Sequence, residues 1–299
     1  MKIPYLGDYT SVYVPQPAIF QGPDSARFSK GTLYSDWVPN DFTIIHDGMR
    51  WHLFGITHPY PPDFLHNDPN IHEAEWQLFH AVSPCATLKQ IITSGSFMQE
   101  AQVLSANDRP GEPHEIWAPI VWRIHDRYIM LYSPDPFRIA SSSNLYDWTV
   151  IGKAFSCNAN GYARDPNIME RDGIFYVIYL THDGLCLRES NDLLAYGPER
   201  LIFKPTGHVS LESPIIKWID GWYYLFYCIY DHTDTINGAY DYRTFVHAAQ
   251  SLDELMDAPC IANIKAHAPE LFQDEDGDWY IASVEWPKRG VSIAPVTWI

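Results

Sequence analysis

Positive charge is scarce in this sequence of 299 residues: 20 Lys and Arg stand against 37 Asp and Glu, a formal net charge of −17. A partner that must be met by a basic footprint, such as a nucleic-acid backbone or an anionic membrane surface, is therefore excluded as an expectation. Long hydrophobic runs are missing too. The apolar stretches are strand-sized and broken by Asp, Gly or Lys, so no transmembrane helix is expected. Met1-Lys2-Ile3-Pro4-Tyr5-Leu6-Gly7-Asp8 lacks the apolar core of a secretion signal, and the expected location is cytoplasmic. Cysteine is sparse and unpatterned. Cys85, Cys157, Cys186, Cys228 and Cys260 are odd in number, far apart and without a CxxC pair, which speaks for free thiols and against a zinc site or a disulfide framework.

What the chain has in quantity is apolar and aromatic residues: 46% hydrophobic, 15% aromatic, with 11 Trp and 19 Tyr. This is the composition of a folded protein with a large core, and its aromatics favour strands and flat ligand-binding faces. The aromatics also fall into a repeat. Pro119 leads through Asp126-Arg127 to Tyr128-Ile129-Met130-Leu131-Tyr132, and Pro166 through Asp172-Gly173 to Phe175-Tyr176-Val177-Ile178-Tyr179. Pro214 and Asp220-Gly221 precede Tyr223-Tyr224-Leu225-Phe226-Tyr227, and Pro269 and Asp276-Gly277 precede Trp279-Tyr280-Ile281. A fifth copy has Phe42 in the place of the Pro, then Asp47-Gly48 and Trp51-His52-Leu53-Phe54. The step from the Pro column to the first aromatic is nine residues in four copies and ten in the last.

Each unit reads as strand, tight turn, strand, with Asp-Gly supplying the positive φ angles of a short hairpin. A third strand follows in most units, as in Arg138-Ile139-Ala140-Ser141-Ser142 and Val246-His247-Ala248-Ala249. Repeats of this size with three or four strands predict an all-β protein, a five-bladed β-propeller in one domain spanning 1–299. The blades are expected at about 36–95, 114–155, 162–205, 210–258 and 266–298. Residues 1–35 are expected to form an entry segment and a ring-closing outer strand.

In a propeller the first strand of each blade lines the central channel, so equivalent positions converge. One residue before the Pro column stand Asp41, Ala118, Asp165, Ser213 and Ala268; two before it stand Asn40, Trp117, Arg164, Glu212 and His267. Three blades thus bring a carboxylate to the same level, where an unpaired charge is costly to bury. Either the cluster is functional, or it is tied up in ion pairs with Arg164 and His267. Repulsion by the neighbouring carboxylates and burial should raise the pKa of Glu212.

Trp117-Ala118-Pro119, Arg164-Asp165-Pro166 and Glu212-Ser213-Pro214 resemble the blade-start motifs of five-bladed propeller glycosidases, glycoside hydrolase family 43 and its relatives in families 32 and 68. Trp37-Val38-Pro39-Asn40-Asp41-Phe42 and His80-Ala81-Val82-Ser83 are similar to motifs of family 32. The resemblance spans about residues 36–298. It implies that Asp41 is the nucleophile or general base, that Asp165 binds sugar hydroxyls and modulates the acid, and that Glu212 is the general acid. Phe42 in place of Pro, and Ser213 in place of Gly or Cys, depart from the family patterns and leave subfamily and substrate open. So does the stereochemical outcome, which depends on a carboxylate separation of about 5–5.5 Å for retention or 6.5–9.5 Å for inversion.

Asn40, Trp117, Arg164 and His267 are the expected substrate-binding residues, Trp117 by stacking on a sugar. No metal or cofactor is expected from ligand spacing. The family-43 likeness of His267 leaves a structural calcium or sodium ion in the channel as an alternative. Six histidines between positions 46 and 80, with the Pro-rich stretch Thr57–Pro69, either shape the pocket mouth or are incidental. Asp274-Glu275-Asp276-Gly277-Asp278 reads as a solvated hairpin turn.

The expected activity is hydrolysis of furanosidic linkages, arabinofuranosyl or fructofuranosyl and next xylosyl, in an oligosaccharide partner. The alternatives are a glycoside phosphorylase and a carbohydrate-binding propeller without catalysis. Oligomeric state is not legible.

Overall fold

The computed structural model describes the chain except residues 62–70, 107–113, 159–161, 206–209, 231–234, 237–238 and 241–242. Five antiparallel sheets make up a five-bladed β-propeller. Blade I consists of Trp37–His46, Trp51–Pro59 and Gln77–Val82, with Met98–Gln99 and Val103–Ser105 sharing its outer edge. Blade II runs Trp117–Ile124, Arg127–Ser133, Phe137–Ser142, Thr149–Phe155, and blade III Ala163–Arg171, Ile174–Thr181, Gly184–Ser190, Arg200–Phe203. Blade IV runs Ser210–Ile219, Trp222–Tyr230, Arg243–Ala249, Cys260–Ile264. Blade V combines both ends of the chain: Glu270–Gln273, Trp279–Val284 and Val291–Trp298 are joined by Pro4–Leu6 and Thr10–Tyr13, which both pair with Val291–Trp298.

The hairpins explain the spacing of the repeat. In blades III and IV the two turn residues are Asp172-Gly173 (φ 55° and 78°) and Asp220-Gly221 (φ 48° and 85°), the paired positive angles of a type I′ turn. Blade II differs from the expectation. Ile124 pairs with Arg127, so the turn is His125-Asp126, with His125 taking the positive φ of 53°. In blade I, Asp47 pairs with Arg50 around Gly48-Met49, and Asp47 Oδ1 accepts from both Met49 N and Arg50 N at 2.6 Å. The tenth residue of the last repeat sits in a three-residue loop, Glu275–Gly277, closed by Asp274 N to Asp278 O at 2.9 Å.

Neighbouring blades bury their aromatic and aliphatic faces against one another. Tyr13, Ala282 and Ile293 of blade V pack with Phe42, Leu53 and Phe79 of blade I, and Leu180 and Leu187 of blade III with Leu211 and Leu225 of blade IV. Each Leu, Ile or Phe among these, taken from water to core, contributes roughly 1.5–3 kcal/mol, which is what holds the ring together. Gly55 has a specific reason in this packing: a Cβ there would meet Phe79 at 2.5 Å and Phe42 Cβ at 2.7 Å.

The acidic hairpin of blade V is not simply solvated. Glu275 accepts from the indole N–H of Trp51 and, at 3.2 Å, from Leu88 N, the first residue of the short helix Leu88–Ser94. Lys89 on that helix reaches Asp276 at 2.7 Å and Asp278 at 2.8 Å. Blades V and I, the last and first of the ring, are therefore clasped by polar contacts as well as by core packing. Among the described residues no helix is long and apolar enough to cross a membrane.

Candidate active site

Every inner strand in blades I to IV carries one extra residue at the level of the Pro column. The register against the second strand shifts between Pro39 and Phe42, Trp117 and Ile120, Arg164 and Asn167, and Glu212 and Ile215. In blades II to IV the column residue is proline, which has no N–H to donate, so the ladder is interrupted there and a bulge is accommodated; blade I makes the same bulge with Phe42. The residue before each Pro takes a positive φ: Ala118 39°, Asp165 56°, Ser213 47° and Ala268 40°. Bulges of this kind re-aim side chains, and here they turn the column toward the axis. The resulting pocket is lined from all five blades, by Asp41, Ala118, Asp165, Ser213, Ala268 and the residues that follow each of them.

Two groups tie the three carboxylates together. Arg164 is hydrogen-bonded through Nη1 to Asp165 Oδ2, and its Nη2 lies 3.3 Å from Glu212 Oε1 and 3.1 Å from Leu211 O. Ser213 donates its backbone N–H to Asp165 Oδ2 at 3.0 Å and its hydroxyl to Asp41 Oδ1 at 2.5 Å. Asp165 is buried, while Asp41 and Glu212 are half-buried.

The electrostatics follow from burial first. Desolvation pushes Asp41 up to about 6, helped by the charge of Glu212 and opposed by the Ser213 hydroxyl and Arg164. Desolvation also raises Asp165 to about 6, against the pull of Arg164. Glu212 rises furthest, to about 7, because burial and the charge of Asp165 outweigh Arg164. Burial works against the charge of Arg164, but Asp165 and Glu212 reverse this and keep the guanidinium protonated. The site therefore holds carboxylates of unequal proton affinity around one cation, the condition under which one can be an acid while another is a base.

No protein-family model matches the sequence, and no curated protein matches it. Solved structures do. An exo-1,5-α-L-arabinanase from a bovine ruminal metagenomic library superposes with a TM-score of 0.61 at 16% identity, covering 87% of this chain and 92% of that one. The endo-arabinase of Bacteroides thetaiotaomicron gives 0.63 at 15% identity, over 87% and 94%. The native arabinanase of Bacillus subtilis gives 0.60 at 16% identity, over 87% and 94%. The fold is that of the five-bladed arabinanases.

Within this arabinanase-like propeller the remaining expected residues fall in different places. Asn40 and Trp117 sit half-buried at the pocket level, and Asn40 Oδ1 and Trp117 Nε1 are buried without a hydrogen-bond partner among the described residues. His267 is buried against its own blade: its Nδ1 is 3.0 Å from Val284 O, and its backbone N–H donates to Ser283 Oγ at 2.9 Å. The histidines of blade I divide similarly. His52 and His80 are buried, 3.0 Å apart, and His58 is buried with Nδ1 2.8 Å from Pro59 O. Residues 62–70, which include His66 and the end of the Pro-rich stretch, lie outside the described residues.

Glu75 and Glu270 were not singled out in the sequence, and Ser213 was noted there only as a departure from the family patterns. Ser213 links Asp41 to Asp165. Glu75, buried, acts on the charge of Asp41 and binds His72 at 2.8 Å, and the His72 ring lies 5.2 Å from that of Trp117. The bond to Glu75 raises the pKa of His72. Glu270, one residue past Pro269, is a further buried carboxylate in the channel, where Asn167 Nδ2 donates to it at 3.3 Å. Its place directly after the Pro column was the available signal. Burial raises Glu270 and lowers Lys217, and each opposes the other's shift by attraction.

Calcium takes six to eight oxygen ligands. The pocket offers Glu270 and Asn167 Oδ1, which has no hydrogen-bond partner among the described residues, with the charge of Lys217 already acting on Glu270. With that ammonium beside it, the set supplies few of the oxygens calcium takes, and water would have to complete the shell. Elsewhere among the described residues, Asp274, Asp276 and Asp278 converge, and the Lys89 ammonium already stands 2.7–3.5 Å from all three.

Proposed function

We propose that this protein is a glycoside hydrolase that cleaves furanosidic linkages in oligosaccharides, with arabinofuranosyl units the first candidate, then fructofuranosyl and xylosyl units. One observation supports this: Asp41 and Asp165, from two different blades, line one axial pocket, and Glu212, next to the pocket residue Ser213 in a third blade, is linked to Asp165 through Arg164. The fold shared with arabinanases supports the choice of substrate class.

In this reading Glu212, raised to about 7, enters the reaction protonated and gives its proton to the leaving oxygen as the glycosidic C–O bond breaks. Asp41, ionised above about 6, either attacks the anomeric carbon or takes a proton from the attacking water. Asp165 stays paired with Arg164, accepts from sugar hydroxyls and keeps negative charge near Glu212, which preserves the acid's proton. The partnerless Asn40 Oδ1 and Trp117 Nε1 are one acceptor and one donor that a polyhydroxylated ligand satisfies; leaving such groups bare in the bound state costs about 1–3 kcal/mol each.

The test is a panel of nitrophenyl furanosides and pyranosides with arabino-oligosaccharides, assayed on wild type, Asp41→Asn and Glu212→Gln. Turnover of furanosides by the wild type, reduced about 10²–10⁴-fold in each variant, is expected. Sugar binding with no turnover of any member would make the protein a binding module. Strict dependence on inorganic phosphate would make it a phosphorylase.

A further inference from the structure

A stacked aromatic pair stands beside the carboxylate pocket and is wired to it. Tyr162 directly precedes the inner strand of blade III and lies two residues ahead of Arg164. Its hydroxyl accepts from Arg164 Nε at 2.8 Å, and the same guanidinium bonds Asp165 and lies 3.3 Å from Glu212. Its ring stacks on the imidazole of His182, with centroids 4.3 Å apart and planes 22° from parallel.

His182 is held by a tight turn between the second and third strands of the same blade. Asp183 N donates to Thr181 Oγ1 at 3.2 Å, and the Thr181 hydroxyl donates to Gly184 O at 3.1 Å. Gly184 has a φ of +135°, and a Cβ on it would strike Phe203 O at 2.3 Å, so the turn depends on glycine and is packed against the outer strand. Both ends of the pair are thus built on fixed elements.

Even so, both rings are exposed, Tyr162 by 37%. His182 covers one face of the Tyr162 ring and Arg164 engages its hydroxyl, and the residue is still exposed to that extent. A flat, preorganised ring with polar groups at its border suits the C–H face of a sugar, whose hydroxyls remain free to bond at the rim. The ring is anchored to the guanidinium that reaches the proposed acid Glu212 as well as Asp165, so it borders the group that serves the departing sugar.

We propose that Tyr162 and His182 form a binding subsite for the sugar residue on the leaving-group side of the scissile bond, making the substrate at least two sugar units long. The proposal rests on the reading of Glu212 as the general acid, and its test separates the two. The ratio of kcat/KM for an arabino-oligosaccharide to kcat/KM for arabinofuranosyl fluoride, whose leaving group has no ring, is measured for wild type, Tyr162→Ala, Tyr162→Phe and His182→Ala. Loss of the stack in Tyr162→Ala is expected to lower the ratio about tenfold. His182→Ala lowers it less. Tyr162→Phe keeps the ring, loses the bond to Arg164, and holds the ratio within about twofold of wild type on the same argument. Equal losses on both substrates in Tyr162→Ala would mean that the residue only props Arg164, and the subsite would be refuted. If the wild type turns over neither substrate, the hydrolase reading fails instead. The subsite is then decided by calorimetric titration of the same oligosaccharide: affinity about tenfold weaker in Tyr162→Ala supports it, while unchanged affinity, or no binding to the wild type, overturns it.

Discussion

The hydroxyl of Ser213 donates to Asp41 Oδ1 at 2.5 Å, across the channel from blade IV to blade I. The residue next to the proposed acid is thereby bonded to the proposed base. This contact lowers the proton affinity of Asp41 while burial and the charge of Glu212 raise it. Both proton-transfer groups are then poised near neutrality and set apart by their surroundings.

The pH dependence of kcat/KM should be bell-shaped, with its maximum between about 6 and about 7. Below this window Asp41 takes up a proton and no longer acts as base or nucleophile; above it Glu212 loses the proton it must donate. Ser213→Ala removes a bond that favours the ionised Asp41, so the acidic limb should move to higher pH with the alkaline limb nearly in place. A rate profile in which the alkaline limb moves instead would assign the groups the other way round.

Arg164→Met strands two carboxylates that share one cation. Both Asp165 and Glu212 should bind protons more tightly, because the Arg164 charge lowers each of them, and the alkaline limb of the rate profile should shift upward. Stability should fall by about 3–5 kcal/mol at pH 8, where the stranded groups are forced to ionise, and by less at pH 5, where they take up protons. Urea denaturation at the two pH values checks the sign; an equal loss at both would mean that the guanidinium acts through packing alone.

The clasp between the first and last blades gives a prediction for the fold. Glu275→Ala leaves the buried indole N–H of Trp51 and the first amide of the helix Leu88–Ser94 without their acceptor. A loss of about 1–3 kcal/mol is expected in chemical denaturation. Lys89→Ala removes the ammonium shared by Asp274, Asp276 and Asp278, whose two closest pairs are exposed, and should change stability less.

Much of this molecule was readable before its structure. The Pro, Asp-Gly and aromatic columns place five hairpins because each residue type acts locally: proline interrupts a ladder, Asp-Gly accepts positive φ, and β-branched and aromatic residues favour strands. Blade II was misread by one residue at its turn because His125, which is not a typical turn residue, takes the positive φ there. The acidic hairpin was misread as solvated because nothing in its own sequence says that Trp51 and Leu88 lie across from it.

The sequence by itself determined the repeat, the number of blades and the level at which Asp41, Asp165 and Glu212 stand, since all of these depend on interactions within a hairpin. Only the tertiary structure decided which groups share a partner. Arg164 reaching Glu212, Ser213 reaching Asp41, and Glu75 acting on Asp41 are contacts between separate blades or loops. They exist only once the ring has closed and burial has made each charge depend on its neighbours.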